Sequence, residues 1–455
     1  MSQKSGHAVD FTSGSIGKKM IVFALPLMFS SILQLLFNAA DIIVVGKFAG
    51  DECVAAVGST TSLINLIVNL FIGLSVGANV MVANFFGAKK SEDLSETIHT
   101  SVAVSIISGI ILSFVGFFFA PEILKLMNTP DDVIDLASVY VKTYFLGMPF
   151  MMLYNFSAAI LRAVGDTKRP LYFLSAAGVI NVVLNMIFVI YFKWNVFGVA
   201  FATIISQVVS ALLVLRCLIK DDGLLKFEFR KLRIHNDKLI RMMQIGIPSG
   251  IQGMMFSISN VIIQSSINTF DTAIVAGSAA STSVEGFAFT SINSFHQSAV
   301  SFAGQNKGAG KFDRLNKILF TAWGYAFVTA AIFAAIFVLF DNQLIGLYVS
   351  GEDVIKAGVE RINIIAWSYL ICGFMDVTVG VIRGLGYSVM PTFVSLIGVC
   401  GIRILWVTTV FSMERFHFVE TIYYSYPISW TITFLAHLLC YLVIRKQINK
   451  RNNYR

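Results

Sequence analysis

Five side chains in the first half of this 455-residue chain have types and spacings suited to holding a proton or a hard cation. Asp41 supplies a carboxyl that can take up and release a proton or ligate an ion. Asn181 and Asn185 are one helical turn apart and share a face, and Thr203 and Gln207 repeat the i, i+4 spacing. Their amide and hydroxyl oxygens are ligands that a hard cation such as Na+ accepts. All lie inside long apolar runs, and a charge near mid-bilayer costs at least about 2.5–3.5 kcal/mol on insertion scales. A carboxyl kept there marks an ion pathway or a buried pair. For Asn and Thr the plain alternative is an interhelical hydrogen bond worth on average about 0.6 kcal/mol.

The second half carries Glu285, Asp376 and Arg403 within its apolar runs. One acid is expected to neutralise Arg403 as a structural charge partner and the other to be left for substrate or ion, with Glu285 favoured as the free one. Asp376 stands where the chain's internal repeat places Asn155. Asn65 and Asn69 in one run and His296 in another suit the lining of a wet cavity, although an interior histidine is equally explained by a hydrogen bond to a neighbouring helix. Other chemistries lack their residues. The stretch Gly304-Gln-Asn-Lys-Gly-Ala-Gly-Lys-Phe312 has Gln305 and Phe312 where a phosphate loop needs Gly and Ser or Thr. Five scattered cysteines with no CxxC pair read as small buried hydrophobes. No cofactor is called for, and energy for transport would come from an ion gradient.

The elements that must position these residues are membrane helices. Hydrophobic residues make up 56% of the chain and charged ones 13%, against about 25% charged in soluble domains, which excludes an ordinary water-soluble enzyme. Twelve apolar runs are long enough to span a bilayer: 20–43, 54–86, 97–119, 136–161, 171–192, 197–219, 239–268, 273–303, 316–340, 359–382, 392–413 and 423–444. They lack the alternation of a membrane barrel, so helices must satisfy the backbone. Of the Lys and Arg residues, 26 fall on one set of alternate loops and seven, Arg361 among them, on the other, with Arg403 inside a run. That asymmetry puts both termini on the cytoplasmic side. The formal charge of +8 is therefore a topology signal and implies no nucleic-acid partner.

The halves repeat. A constant shift of 221 aligns Gly87, Ala88, Lys90 and Leu94 with Gly308, Ala309, Lys311 and Leu315. It aligns Leu126, Asp132, Val133 and Ile134 with Leu347, Asp353, Val354 and Ile355, and Arg162, Gly165 and Pro170 with Arg383, Gly386 and Pro391. The expected fold is an all-α integral membrane protein of twelve helices in two six-helix lobes related by a parallel repeat, residues 1–219 and 239–455, joined by a basic cytoplasmic linker, 220–238. The linker's charge reads as obeying the charge rule or as attraction to lipid headgroups.

Several segments taken in order resemble the multidrug and toxic compound extrusion (MATE) transporters. They are Pro26, then Gln34 and Asn38-Ala-Ala-Asp-Ile-Ile-Val-Val-Gly46, then Leu161-Arg-Ala-Val-Gly-Asp-Thr-Lys-Arg-Pro170 with its echo Ile382-Arg-Gly-Leu-Gly-Tyr-Ser-Val-Met-Pro391, and Phe302-Ala-Gly-Gln-Asn-Lys-Gly-Ala309. The resemblance covers essentially the whole chain. It implies exchange of Na+ or H+ for organic, often cationic and amphipathic, compounds. Asp41 would be the first-helix acid, and Asn181, Asn185 and Thr203 the remaining ion ligands. Gln34, Asn65, Asn69, Asn155, Gln207, Glu285, His296 and Asp376 are candidates for the substrate cavity. Some relatives carry a Glu near the position of Phe256 or an acid at that of Asn185, and this chain has neither, which bears on the identity of the coupling ion. The expected protein is a monomeric secondary transporter of the plasma membrane, whose partners are small organic molecules and the lipid bilayer. The alternatives are a lipid-linked precursor flippase of the same wider superfamily and, from another class, a membrane enzyme or receptor.

Overall fold

The computed structural model describes residues 8–127, 129 and 133–453, and every one of the twelve apolar runs is helical in it. Asp132, one of the repeat identities, lies outside the described residues. The helices are α1 Ile16–Phe48, α2 Asp51–Gly87, α3 Ser91–Leu126, α4 Ile134–Leu146, α5 Met148–Ala163, α6 Lys168–Met186, α7 Asn195–Ile219, α8 Asn236–Ile267, α9 Thr272–Gly308, α10 Leu315–Leu339, α11 Asp341–Gly346, α12 Glu352–Ile365, α13 Tyr369–Gly384, α14 Val389–Ser395, α15 Ile402–Trp406 and α16 Val419–Asn453. The fourth run is two helices, α4 and α5, bent by 48° where Gly147 and Pro149 interrupt the backbone ladder. Among the described residues nine helices are long and apolar enough to cross a membrane, ten with the bent pair. The long helices α8 and α9 are the more polar remainder. In α9, Ser278, Ser281, Thr282, Ser291, Ser294 and Ser298 dilute the apolar surface, and the hydroxyls of Thr282, Ser291, Ser294 and Ser298 donate back to carbonyls of their own helix.

The repeat identities have a structural reason. Gly165 and Gly386 have φ of 92° and 81°, a left-handed conformation that closes α5 and α13. The N–H of Gly165 donates to the Arg162 carbonyl (2.9 Å) and that of Gly386 to the Arg383 carbonyl (2.7 Å). Pro170 and Pro391 then stand in the first turn of α6 and α14, where a missing N–H costs nothing. Arg-x-x-Gly followed by Pro is therefore a helix stop and restart, used once in each half.

The chain divides into two compact units. The first comprises Phe29–Gly250 with the described residues before Phe11. Its cores join Val44, Val45, Leu112, Phe145 and Met152 at one place and Ile98, Ile160, Val214 and Phe227 at another. Here α2 meets the first part of α8 at Gly73, Gly77, Gly246 and Gly250, where a Cβ on any of the four would strike the opposing backbone. The segment 220–238 is docked on α3. Phe227 is 1% exposed and stacks on His99 at 5.2 Å, the Glu228 N–H donates to His99 Nε2 (3.1 Å), and the His235 N–H donates to Thr100 Oγ1 (3.1 Å). Lys238 fastens the start of α8 through Asp93, Asp237 (2.8 Å) and Glu96 (3.2 Å). Burial works against its charge, but the hydrogen bonds it donates to Asp237, Asp93 and Glu96 outweigh that and raise its pKa above the ordinary lysine value.

The second unit comprises Phe11–Met28 and the described residues from Ile251 on. Within it, Phe11 is buried and stacks on Phe302 at 3.8 Å, its N–H donates to Gln305 Oε1 (2.9 Å), and Asn306 Nδ2 donates to its carbonyl (3.1 Å). The segment Phe302–Ala309 thus holds the N-terminal peptide at the start of α1. Large apolar side chains such as Phe114, Phe118, Ile332, Leu435 and Leu439 are exposed along the helices, more apolar surface than a water-soluble protein leaves bare.

Candidate functional site

In the first unit the predicted ion-binding residues come together. Asp41 lies on the last third of α1, Asn181 and Asn185 on one face of α6, and Thr203 on α7. Asn185 Nδ2 donates to Asp41 Oδ1 and also to Asn181 Oδ1 (3.3 Å). Asn181 Nδ2 donates to Thr203 Oγ1 (3.3 Å), whose own proton goes to the Val199 carbonyl (3.0 Å). Three helices are thereby tied through one string of amide and hydroxyl groups that ends on a carboxylate. Asn185 is completely buried and its Oδ1 has no partner, an acceptor facing inward with nothing donated to it.

The approach of α1 to α6 depends on Gly178. A Cβ there would collide with the Phe37 ring. Phe37 is one turn before Asp41 and Gly178 is three residues before Asn181, so the missing side chain on one helix lets the carboxyl of the other reach the amides. Tyr140 and Tyr144 on α4 stack on each other at 6.0 Å and lie within electrostatic range of Asp41. Sequence reasoning missed this pair, whose only signal was two aromatics at i and i+4. Gln207 is half-buried and makes none of the cluster's bonds, and its carbonyl accepts from Ser210 (3.0 Å). Gln34 and Asn65 are exposed, Asn69 is half-buried, and Asn155 is half-buried and donates to the Met151 carbonyl (2.9 Å).

In the second unit the expected charge pairing is overturned. Glu285 is not a free acid. Both its oxygens are held by Arg361, Nε to Oε1 at 2.9 Å and Nη2 to Oε2 at 3.3 Å, and it accepts further bonds from Ser281 Oγ (3.0 Å) and Tyr369 OH (3.3 Å). Arg361 completes its fork on Ser278 Oγ (3.0 Å). The sequence count had put Arg361, at the edge of the run 359–382, with the charges of the outer side. The helix begins earlier, at Glu352, which draws Arg361 inside at 2% exposure. Arg403 has no carboxylate partner among the ion pairs of the described residues. Its Nε donates to Ser429 Oγ (3.0 Å) and its guanidinium lies over Tyr426 and Trp430. Asp376 is buried with Oδ2 unpartnered, and His296 Nδ1–H donates to the Asp376 carbonyl (2.7 Å), the hydrogen-bonded interior role.

A helical chain with nine or ten apolar spans among its described residues, a repeated half and an acid–amide string buried in one unit belongs to the class of polytopic membrane transporters. The family model MatE matches residues 26–187 and 248–408, so both repeated halves are covered, and the chain belongs to the MATE family. It is similar to the "Probable multidrug resistance protein YoeA" of Bacillus subtilis, 26% identical over 447 residues and 96% of each chain. It is also similar to the "Multidrug export protein MepA" of Staphylococcus aureus, 21% identical over 441 residues and 96% of each. Among solved structures, an outward-facing multidrug resistance MATE family transporter of the MOP superfamily superposes with a TM-score of 0.92 at 21% identity, over 99% of this chain and 100% of that one.

Proposed function

We propose that this transporter is an antiporter that exports organic, cationic or amphipathic, drugs or metabolites across the plasma membrane in exchange for H+ or Na+. Both termini lie in the cytoplasm, and it acts as a monomer. The observation that carries the reading is the Asp41–Asn185–Asn181–Thr203 string with its unfilled Asn185 Oδ1, a carboxylate and an acceptor in one buried place. Such a site accepts a proton on Asp41 or a hard cation among Asp41, Asn181, Asn185 and Thr203, and its occupancy biases alternating access. One charge moving through 100 mV supplies about 2.3 kcal/mol, enough for roughly a 50-fold gradient of substrate. Gln34, Asn65, Asn69, Asn155 and Gln207 of the first unit and, separately, His296 and Asp376 of the second are proposed to contact substrate. Glu285 is left out of it because Arg361 occupies it. The relatives named for multidrug resistance and export support efflux over the flippase alternative.

The test is dye efflux from proteoliposomes under a Na+ gradient and a H+ gradient imposed separately. Wild-type protein is expected to export a cationic dye under at least one of them, and Asp41→Asn to lose the ion dependence. Undiminished ion-driven export by Asp41→Asn would refute the role given to Asp41.

A further inference from the structure

Among the described residues, the buried charged groups of the second unit do not balance. Arg361, Arg383 and Arg403 face Glu285 and Asp376, which leaves one positive charge in excess. Arg361 is matched in every direction by Glu285 and Ser278. Arg383 donates through Nη2 to Gln252 Oε1 (2.6 Å); its Nε is buried without a hydrogen bond, but Asp376 lies within electrostatic range of it. Arg403, at 4% exposure, combines an open N–H with no acid at ion-pair distance among the described residues. Its Nε is used by Ser429, its guanidinium carbon lies 4.0 Å from the centroid of Tyr426 and 5.4 Å from that of Trp430, and Nη2 is buried with no partner. Asp376 stays outside ion-pair distance of it.

The backbone around Arg403 is built differently from its repeat. The five residues of α15 sit between two π-helical stretches, Leu396–Gly401 and Val407–Phe411. The first half also has a π stretch, Ile187–Tyr191, near the counterpart of the second of these, but positions 175–180, the counterpart of Leu396–Gly401, are ordinary α-helix within α6. A π turn inserts a residue into the ladder and re-aims the side chains beyond it. Arg403 points inward while Leu405 is 61% exposed. The extra π turn is thus spent on burying a cation that no acid of the described residues neutralises.

A guanidinium in a low-dielectric interior with an open N–H is completed by an acceptor carrying negative charge. Its planar fork fits the oxygens of a carboxylate or phosphate, and the rings of Tyr426 and Trp430 hold the guanidinium in an aromatic surround that suits the apolar part of such a molecule. We propose that Arg403, Tyr426 and Trp430 form a subsite for an anionic oxygen group, carboxylate or phosphate, carried on an amphipathic molecule. As a substrate subsite this rests on the transporter reading and widens its substrate class to organic anions and zwitterions. The same chemistry is also presented by the head of an anionic lipid.

The test is binding to the purified full-length protein in phosphatidylcholine nanodiscs, read by calorimetry with benzoate and inorganic phosphate as probes and benzylamine as the charge-reversed control. Benzoate or phosphate is expected to bind and benzylamine not to compete. Arg403→Met should abolish the binding, and Arg403→Lys, which keeps the charge and protects folding, should weaken it at least about tenfold. Discs containing phosphatidylglycerol distinguish the sources. Loss of benzoate binding there, with lipid retention that depends on Arg403, assigns the site to a lipid head; unchanged benzoate binding assigns it to a soluble anion. If benzoate, phosphate and phosphatidylglycerol all bind independently of Arg403, or none binds, the proposal is overturned. None of these readings requires transport, so its failure is separable from failure of the antiporter reading.

Discussion

Removing the carboxylate of Glu285 should cost the protein its stability before it costs it any chemistry. The Glu285 and Arg361 side chains are 5% and 3% exposed, and the two oxygens of Glu285 accept four hydrogen bonds, two of them from Arg361. With Glu285→Met the guanidinium keeps Ser278 and the rings of Tyr423 and Tyr426, 5.3 and 5.4 Å away, but no countercharge. Breaking a buried pair from one side costs about 3–5 kcal/mol, whereas replacing both partners with apolar groups of similar volume is close to neutral. Unfolding of the purified protein in mixed micelles should therefore show Glu285→Met and Arg361→Met each destabilised by about 3 kcal/mol or more, and the double variant recovering at least half of that loss. Transport should fall in proportion to folded protein. Single variants within about 1 kcal/mol of wild type would refute the structural role. So would a Glu285→Gln protein that unfolds normally but no longer transports, since Glu285 would then be acting on substrate or ion.

Two further outcomes follow from the first unit. Gly178→Ala places a methyl against the Phe37 ring, so it should destabilise by about 1–3 kcal/mol and weaken coupling-ion affinity by pushing Asp41 away from Asn185; the unfolding midpoint and the ion dependence of dye efflux measure the two effects. Lys238 has a folded-state pKa raised above its ordinary 10.5, so its contribution is fully present below that value and is lost only as pH rises beyond it into the alkaline range. Hydrogen exchange of segment 220–238 should accordingly show the same protection across neutral pH and release above about pH 10.5, while Lys238→Met should release it at neutral pH as well.

Asp41, Asn181, Asn185 and Thr203 were readable as a set because their types, their i, i+4 spacing and the cost of polarity in lipid all point the same way, and α1, α6 and α7 join them as expected. Tyr140 and Tyr144 were not readable, since an aromatic in an apolar helix is ordinary until the neighbouring helix is known. The Arg162 and Arg383 motifs showed the repeat at once, but their purpose, a left-handed glycine closing each helix ahead of a proline, needed backbone angles. The segment 220–238 read as a charged linker, whereas Phe227, His99 and Lys238 dock it on α3 through contacts too far apart in sequence to be seen there.

Length, hydropathy, charge asymmetry and the 221-residue repeat determined by themselves that this chain is a helical membrane protein of two similar halves, because the bilayer imposes those patterns locally on each span. Which charges neutralise one another was decided only in three dimensions. Glu285 met Arg361, a residue the sequence had placed at the edge of a span, and left Arg403 without a carboxylate among the described residues. A span's hydropathy reports its depth in the membrane, but the partner of a buried charge depends on helix start, helix rotation and the π turns around Arg403, and none of these is written in composition or spacing.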